Sequence, residues 1–141
     1  MDRGRLGSKY HIAVDRNGIP LAVTLTVGNV NDCTEFANVL AQLPAFRHRH
    51  GRRSWRPGKL HADKGYDTRK CHAELRRLRI KDRIVRRGEK AEKLGRYRWV
   101  VERTFAWLHS FRRLAIRYER SAVIHSAFLL LACSLLCAYN L

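Results

Sequence analysis

The feature that most constrains this chain is the way its charge is distributed. Residues 47–120 carry 25 of the 29 Lys and Arg residues and 8 of the 12 Asp and Glu residues, whereas residues 121–141 contain none of the four. A segment this basic has to stay in water, because burying an unpaired charge costs on the order of several kcal/mol. An uncharged apolar end has the opposite need, so the middle of the chain meets a partner and the end fills the core. The net charge of +17 concentrates polyanions at the surface. Nucleic acid is the leading partner and an anionic membrane surface the second. With 45% hydrophobic and 9% aromatic residues, the 141-residue chain can build one packed domain and is not a disordered basic tail.

Four cysteines, at 33, 71, 133 and 137, have no paired metal-ligand spacing, and the polar start Met1-Asp2-Arg3-Gly4-Arg5 has no apolar segment behind it. A reducing, cytoplasmic setting with no export signal is expected. Cys133 and Cys137 are four apart, share a helix face and read as packing residues. Residues 126–139 are apolar apart from Ser126 and Ser134. That run is short for a membrane span and reads as a buried helix, with no membrane partner.

Runs 9–14 and 19–27 are β-rich and are separated by Asp15-Arg16-Asn17-Gly18. Asn-Gly supplies the positive φ angles of a tight turn, which predicts a β-hairpin. Asp32, three positions before Glu35, opens the apolar pattern Phe36, Val39, Leu40, Leu43 in the manner of a capping box, and Pro44 ends that helix. Residues 45–58 read as a basic connecting loop, either merely solvated or in contact with phosphates. A short strand at 59–62 is followed by a helix at 68–78, capped by Asp67, with Cys71, Leu75 and Leu78 on one face. A strand at 82–85, a polar loop at 86–95, a long helix at 97–114 and a last helix at 121–139 complete the chain. Strands alternating with helices after a hairpin imply a mixed sheet covered by helices, an α/β fold.

In such sheets chemistry collects at the carboxyl ends of strands. Asp63 stands immediately after the 59–62 strand, and Glu102 lies in the first turns of the long helix, 39 positions later. Two readings of these acids are open. In the plainer one each neutralises nearby basic charge, Asp63 with Lys64 or a neighbouring Arg and Glu102 with Arg98 four residues before it, although Arg ahead of Glu is the weaker order. In the other they are hard oxygen ligands for Mg²⁺ in phosphodiester chemistry, where two ions serve the attacking and leaving oxygens.

Ala62-Asp63-Lys64-Gly65-Tyr66-Asp67, followed by Tyr97-Arg98-Trp99-Val100-Val101-Glu102-Arg103-Thr104-Phe105-Ala106-Trp107-Leu108, resembles the insertion-sequence transposases of the IS4 and IS5 type, members of the DDE superfamily. Gly7-Ser8-Lys9-Tyr10-His11, Gly28-Asn29-Val30-Asn31-Asp32 with Thr34-Glu35, Arg112-Arg113-Leu114 and Arg117-Tyr118-Glu119-Arg120 extend the likeness over essentially the whole chain. The resemblance implies a ribonuclease H-like mixed sheet flanked by helices, with Asp, Asp and Glu holding two Mg²⁺ (or Mn²⁺) ions. It implies cleavage of transposon ends with water and transfer of the freed 3′ hydroxyls to target DNA. Carried onto this sequence, Asp63 is the second catalytic carboxylate and metal ligand, and Glu102 the third. Arg98 matches the arginine of the family's Tyr-Arg-Glu-Lys signature. The tyrosine and lysine positions are Gly95 and His109, with Tyr97 and Arg112 as nearby substitutes.

The first catalytic Asp lies, in the family, on a strand ahead of the segment that here begins at Gly7. Asp2, Asp15 and Asp32 all stand in the wrong context to replace it. Residues 1–141 are therefore expected to be a partial ribonuclease H-like transposase catalytic domain lacking the first strand, a truncated or second-frame product that binds DNA with little or no cleavage. The alternative is a non-catalytic basic DNA-binding fragment that modulates full-length transposase. Double-stranded DNA at transposon ends and target is the expected partner, with homo-oligomers or association with full-length transposase.

Around the acids, Arg86, Arg87, Lys90 and Lys93 flank the long helix and are candidate phosphate contacts, with plain solvated charge as the other reading. Trp55, among arginines, is a candidate for base stacking or target contact. Trp99 and Trp107 read as core packing. The seven histidines have no ligand spacing, and no metal is assigned to them.

Overall fold

The computed structural model describes residues 7–47, 53–54, 56–86, 88 and 95–140. Strands β1 (Ser8–Val14) and β2 (Pro20–Val27) form the expected antiparallel hairpin, with Tyr10 opposite Leu25 and Ile12 opposite Val23. Its turn is held by Asp15 as much as by Asn-Gly. The Asp15 carboxylate accepts hydrogen bonds from the Asn17 and Ile19 amides, both at 2.8 Å, and Gly18 takes φ +83°. An Asx side chain bonding its own downstream backbone is a general turn device.

Helix α1 (Asp32–Ala41) begins one residue earlier than the capping-box pattern predicts. Asn31 is the N-cap, its side chain accepting from the Cys33 amide at 3.0 Å. Asp32 is drawn off instead by the Lys9 ammonium at 2.9 Å, which pins the helix start to β1. The basic loop contains a minimal hairpin, β3 (Phe46–Arg47) with β4 (Arg53–Ser54).

β5 (Lys59–Ala62) and β6 (Lys81–Ile84) pair in parallel, with Ala62 opposite Ile84. They are joined by a 3₁₀ turn at Lys64–Tyr66 and helix α2 (Arg69–Arg77). Thr68, not Asp67, caps α2, accepting from the Cys71 amide at 3.3 Å. The helix closes with a Schellman pattern, Ile80 N–H to Leu75 O at 2.9 Å and Arg79 N–H to Arg76 O at 3.0 Å. The left-handed position is held by Arg79 at φ +53°, where glycine is usual.

The long helix breaks where one continuous helix was expected. α3 spans Gly95–Ser110, Phe111 adopts extended φ and ψ, and α4 (Arg112–Ala115) restarts the chain. α5 (Ala122–Tyr139) follows.

Two cores result. One gathers Phe36 and Leu40 of α1, Cys71 and Leu75 of α2, and Ile80 and Ile84. The other gathers Leu108, Leu114, Leu129, Ala132, Cys133 and Leu136, backed by Tyr10, Ile12 and Val23 of the hairpin. Among the described residues the strands form three two-stranded sheets, where the sequence predicts a single mixed sheet. Among the described residues β1 pairs only with β2, and β5 only with β6, so no strand joins the two pairs.

The expectation of a buried final helix is corrected. His125, Leu129, Ala132, Cys133 and Leu136 are buried, while Val123 and Tyr139 are 78% and 81% exposed. A helix that is apolar all round carries no polar stripe to say which face is inside. α5 is the one helix among the described residues long and apolar enough to cross a membrane.

Candidate active site

Asp63 leaves the carboxyl end of β5, as its position predicts, and is exposed. It caps the 3₁₀ turn by accepting from the Lys64 amide at 2.7 Å. Tyr66 closes that turn against Phe36, ring centroids 5.4 Å apart, and burial together with neighbouring Asp32 raises its hydroxyl to about 12. The phenol is therefore neutral at physiological pH and gives the Asp63 turn an apolar floor.

Asp67 is held elsewhere than at the helix start. His72 links it to Asp82, with Nε2 on Asp67 at 2.8 Å and Nδ1 on Asp82. Hydrogen bonding to Asp67, then to Asp82, raises the His72 pKa above that of an ordinary imidazole. The clamp ties the turn after Asp63 to α2 and β6. Sequence reading missed it because only the βαβ crossover brings Asp82 of β6 beside His72.

Glu102 stands exposed on α3, whose opposite side is locked to the hairpin turn. The buried Thr104 hydroxyl donates to Gly18 O at 2.6 Å. Arg103 donates to Asn17 O and lies between the rings of Trp99 (4.5 Å) and Trp107 (4.8 Å). Spacing of four residues puts Trp99, Arg103 and Trp107 on one helix face, a cation–π arrangement. The core-packing expectation thus fails for Trp99, which is 48% exposed, while Trp107 packs against the second core.

The remaining candidates are scattered. His109 is exposed beside Phe105, Arg112 is exposed at the start of α4, and Arg86 is exposed just after β6. Tyr97 and Arg98 lie in α3, but their side chains fall outside the described residues, as do Trp55, Arg87, Lys90 and Lys93 altogether. Asp63 belongs to the first core's elements and Glu102 to the second's. Among the described residues no three His, Cys, Asp or Glu side chains converge to hold a metal. Two exposed carboxylates are hard-oxygen donors of the kind Mg²⁺ prefers, one fewer than the set that the resemblance implies.

The family model for the transposase DDE domain matches residues 2–141. The chain belongs to the DDE transposase domain family. A Burkholderia cepacia protein named as transposase for insertion sequence element IS402 is 51% identical over 137 residues, 96% of this chain and 65% of that protein. The transposase for insertion sequence element IS1106 of Neisseria meningitidis serogroup B is 29% identical over 129 residues, 84% of this chain and 40% of that protein. A Brucella ovis protein named as transposase for insertion sequence element IS6501 is 26% identical over 136 residues, 92% of this chain and 96% of that protein. The chain spans about two thirds of the first relative's length and two fifths of the second's. No solved structure matches.

Proposed function

We propose that this DDE-family chain is the part of an insertion-sequence transposase that supplies the second and third catalytic carboxylates, Asp63 and Glu102, for chemistry on double-stranded DNA in the cytoplasm. The observation that carries this reading is the presentation of both acids. Each is exposed on a differently anchored element, Asp63 at a strand end and Glu102 on a helix. The surrounding excess of Lys and Arg suits contact with phosphates, the main source of affinity in DNA binding. Arg86, Arg87, Lys90, Arg98, Tyr97, His109, Arg112 and Trp55 are the proposed DNA contacts.

The split between β1–β2 and β5–β6 supports a ribonuclease H-like arrangement in which one more strand lies between β1 and β5 and brings the first carboxylate. Asp63 and Glu102 would then be ligands to Mg²⁺ or Mn²⁺, the ions that polarise phosphate in such chemistry. With two of three carboxylates, the chain by itself binds DNA and cleaves it little or not at all. The test is purified 141-residue chain with Mg²⁺ or Mn²⁺ on DNA carrying the element's terminal repeats. Retarded DNA whose affinity falls steeply with salt, and little cleavage, is the expected result. Robust cleavage abolished by Asp63→Ala would overturn the incomplete site, and no retention at low salt would overturn the DNA reading.

A second reading, a non-catalytic DNA-binding fragment that modulates full-length transposase, draws on the absence of a converging ligand group among the described residues and on a Brucella ovis relative of nearly this length. Adding the chain to active full-length transposase separates the two. Inhibition without complementation favours the second, and rescue of a transposase carrying Asp63→Ala or Glu102→Gln favours the first.

A further inference from the structure

Two cysteines that the carboxylate chemistry leaves unused stand at neighbouring helix starts. Cys33 lies in the first turn of α1, after the Asn31 cap, and Cys71 in the first turn of α2, after the Thr68 cap. Both border one cavity of about 580 Å³, with Asn31 and Thr34 on the α1 side and Thr68 and Lys70 on the α2 side. Cys33 packs on the first core, of which Cys71 is a member, and the two thiols are in hydrogen-bonding contact. The Cys33 thiol in turn donates to Gly65 O at 3.1 Å, inside the turn that Asp63 caps. One pair of sulfurs therefore links two helices and also holds the turn of a motif acid.

We infer that Cys33 and Cys71 are a reversible redox pair, which a hydroperoxide closes into a disulfide and which, once closed, no longer holds the turn that presents Asp63. Cα atoms of α1 and α2 approach to within 8 Å, close to the roughly 4.4–6.8 Å that a disulfide spans. Exposure sets the order of events. Cys33 is partly exposed and meets the oxidant, whereas Cys71 is 1% exposed. Burial pushes the Cys71 thiol up, against the Thr68 hydroxyl bonded to its sulfur, so Cys71 rests as a thiol and is the resolving member. The Cys33 sulfur attacks the near oxygen of the hydroperoxide, the O–O bond breaks, and the leaving oxygen takes the thiol proton and departs as an alcohol or water. The resulting Cys33 sulfenic acid is attacked by the Cys71 sulfur. The S–S bond forms, the S–O bond breaks, and hydroxide leaves with the Cys71 proton as water. Two electrons pass from the thiols to the peroxide, and Cys33 has no S–H left to give Gly65 O. Cys133 and Cys137 do not compete, because one helical turn sets Cβ atoms about 5–6 Å apart and a disulfide needs about 3.5–4.5 Å. In a reducing compartment such a bridge is transient. The consequence for chemistry rests on the proposed role of Asp63, while the thiol reaction needs neither metal nor DNA.

The test treats the full chain, free of metal and DNA, with hydrogen peroxide. Free thiols should fall from four to two, and the mass should drop by about 2 Da, the two hydrogens lost. A tryptic digest without reductant should join the peptide 17–47 to the peptide 71–76, and dithiothreitol should undo the join. Hydrogen exchange at the Tyr66 and Asp67 amides, which close the turn onto Asp63 O and Lys64 O, should speed up about threefold in the bridged chain, the scale of one weak hydrogen bond. Cys71→Ala should stop at a Cys33 sulfenic acid that dimedone traps. Cys33→Ser, at the more exposed position, should give no bridge and decides the matter if Cys71→Ala does not fold. Equal oxidation of all four cysteines, bridges between chains instead of within one, or a sulfinic acid on Cys33 without a bridge would each overturn the pair. A bridge that leaves the turn's exchange unchanged would overturn its hold on Asp63. None of these readouts scores DNA binding or cleavage, so this inference and the proposed function fail separately.

Discussion

The half of the molecule that carries Asp63 is built from near neighbours in sequence. β5, the turn, α2 and β6 follow one another, and the His72 clamp joins residues 67, 72 and 82. The half that carries Glu102 is built from distant ones. Thr104 reaches Gly18, Arg117 reaches Ser8, Tyr10 bonds His125 and the Cys137 thiol points at Pro20 O. α1 packs on the hairpin and on α2, so it joins the two. The difference teaches that the two acids are held by different sets of contacts. Asp63 depends on a local βαβ unit, and Glu102 depends on how well the N-terminal hairpin holds α3.

Predictions that test this contrast run from large to small. Leu75→Ala and Leu108→Ala, both at fully buried positions, should each cost about 2–5 kcal/mol in denaturant melts. Hydrogen exchange should localise the loosening to α2 and β6 in the first case and to α3 and α5 in the second. A uniform loss of protection in both would mean a single cooperative unit. Gly18→Ala should cost roughly 1–3 kcal/mol, since φ is +83° and the new Cβ would lie 3.0 Å from Thr104 Oγ1. Its exchange signature should fall on α3 and leave α2 unaffected.

His72 gives a pH-dependent probe of the first half. Its pKa is raised in the folded state, so its contribution is complete below the unfolded value of about 6.5 and fades as pH rises through the higher folded value. The thermal midpoint should drop over that interval in the native chain and stay flat in His72→Gln. Arg79→Gly should stabilise α2 by about 0.5–1 kcal/mol, because glycine relieves the left-handed backbone at that helix end. Smallest of all, Asp63→Asn and Glu102→Gln should move stability by less than about 0.5 kcal/mol, as exposed positions do. A large loss in either would recast that acid as structural.

The hairpin, α1, the βαβ unit and the places of Asp63 at a strand end and Glu102 on a helix were legible in the sequence, because periodicity and turn chemistry are local. What escaped was decided across the chain. Asp32 lost the N-cap to Asn31 because Lys9, more than twenty residues away, claims its carboxylate. The break at Phe111 has no Pro or Gly to announce it, and the inward face of α5 has no polar counterpart to reveal it. Arg103 between two tryptophans was hidden in plain spacing, since the residues were read one at a time. How the two acids lie relative to each other depends on strand partners, which local patterns in the sequence do not announce.

The unpaired margins of β1 and β5 carry a practical consequence for anyone handling this polypeptide. A row of amides and carbonyls with no ladder partner among the described residues is a template for intermolecular strand addition. Concentrated preparations should be prone to domain swapping and fibrous aggregates, and a short extended peptide that docks along either margin should act as a solubilising chaperone.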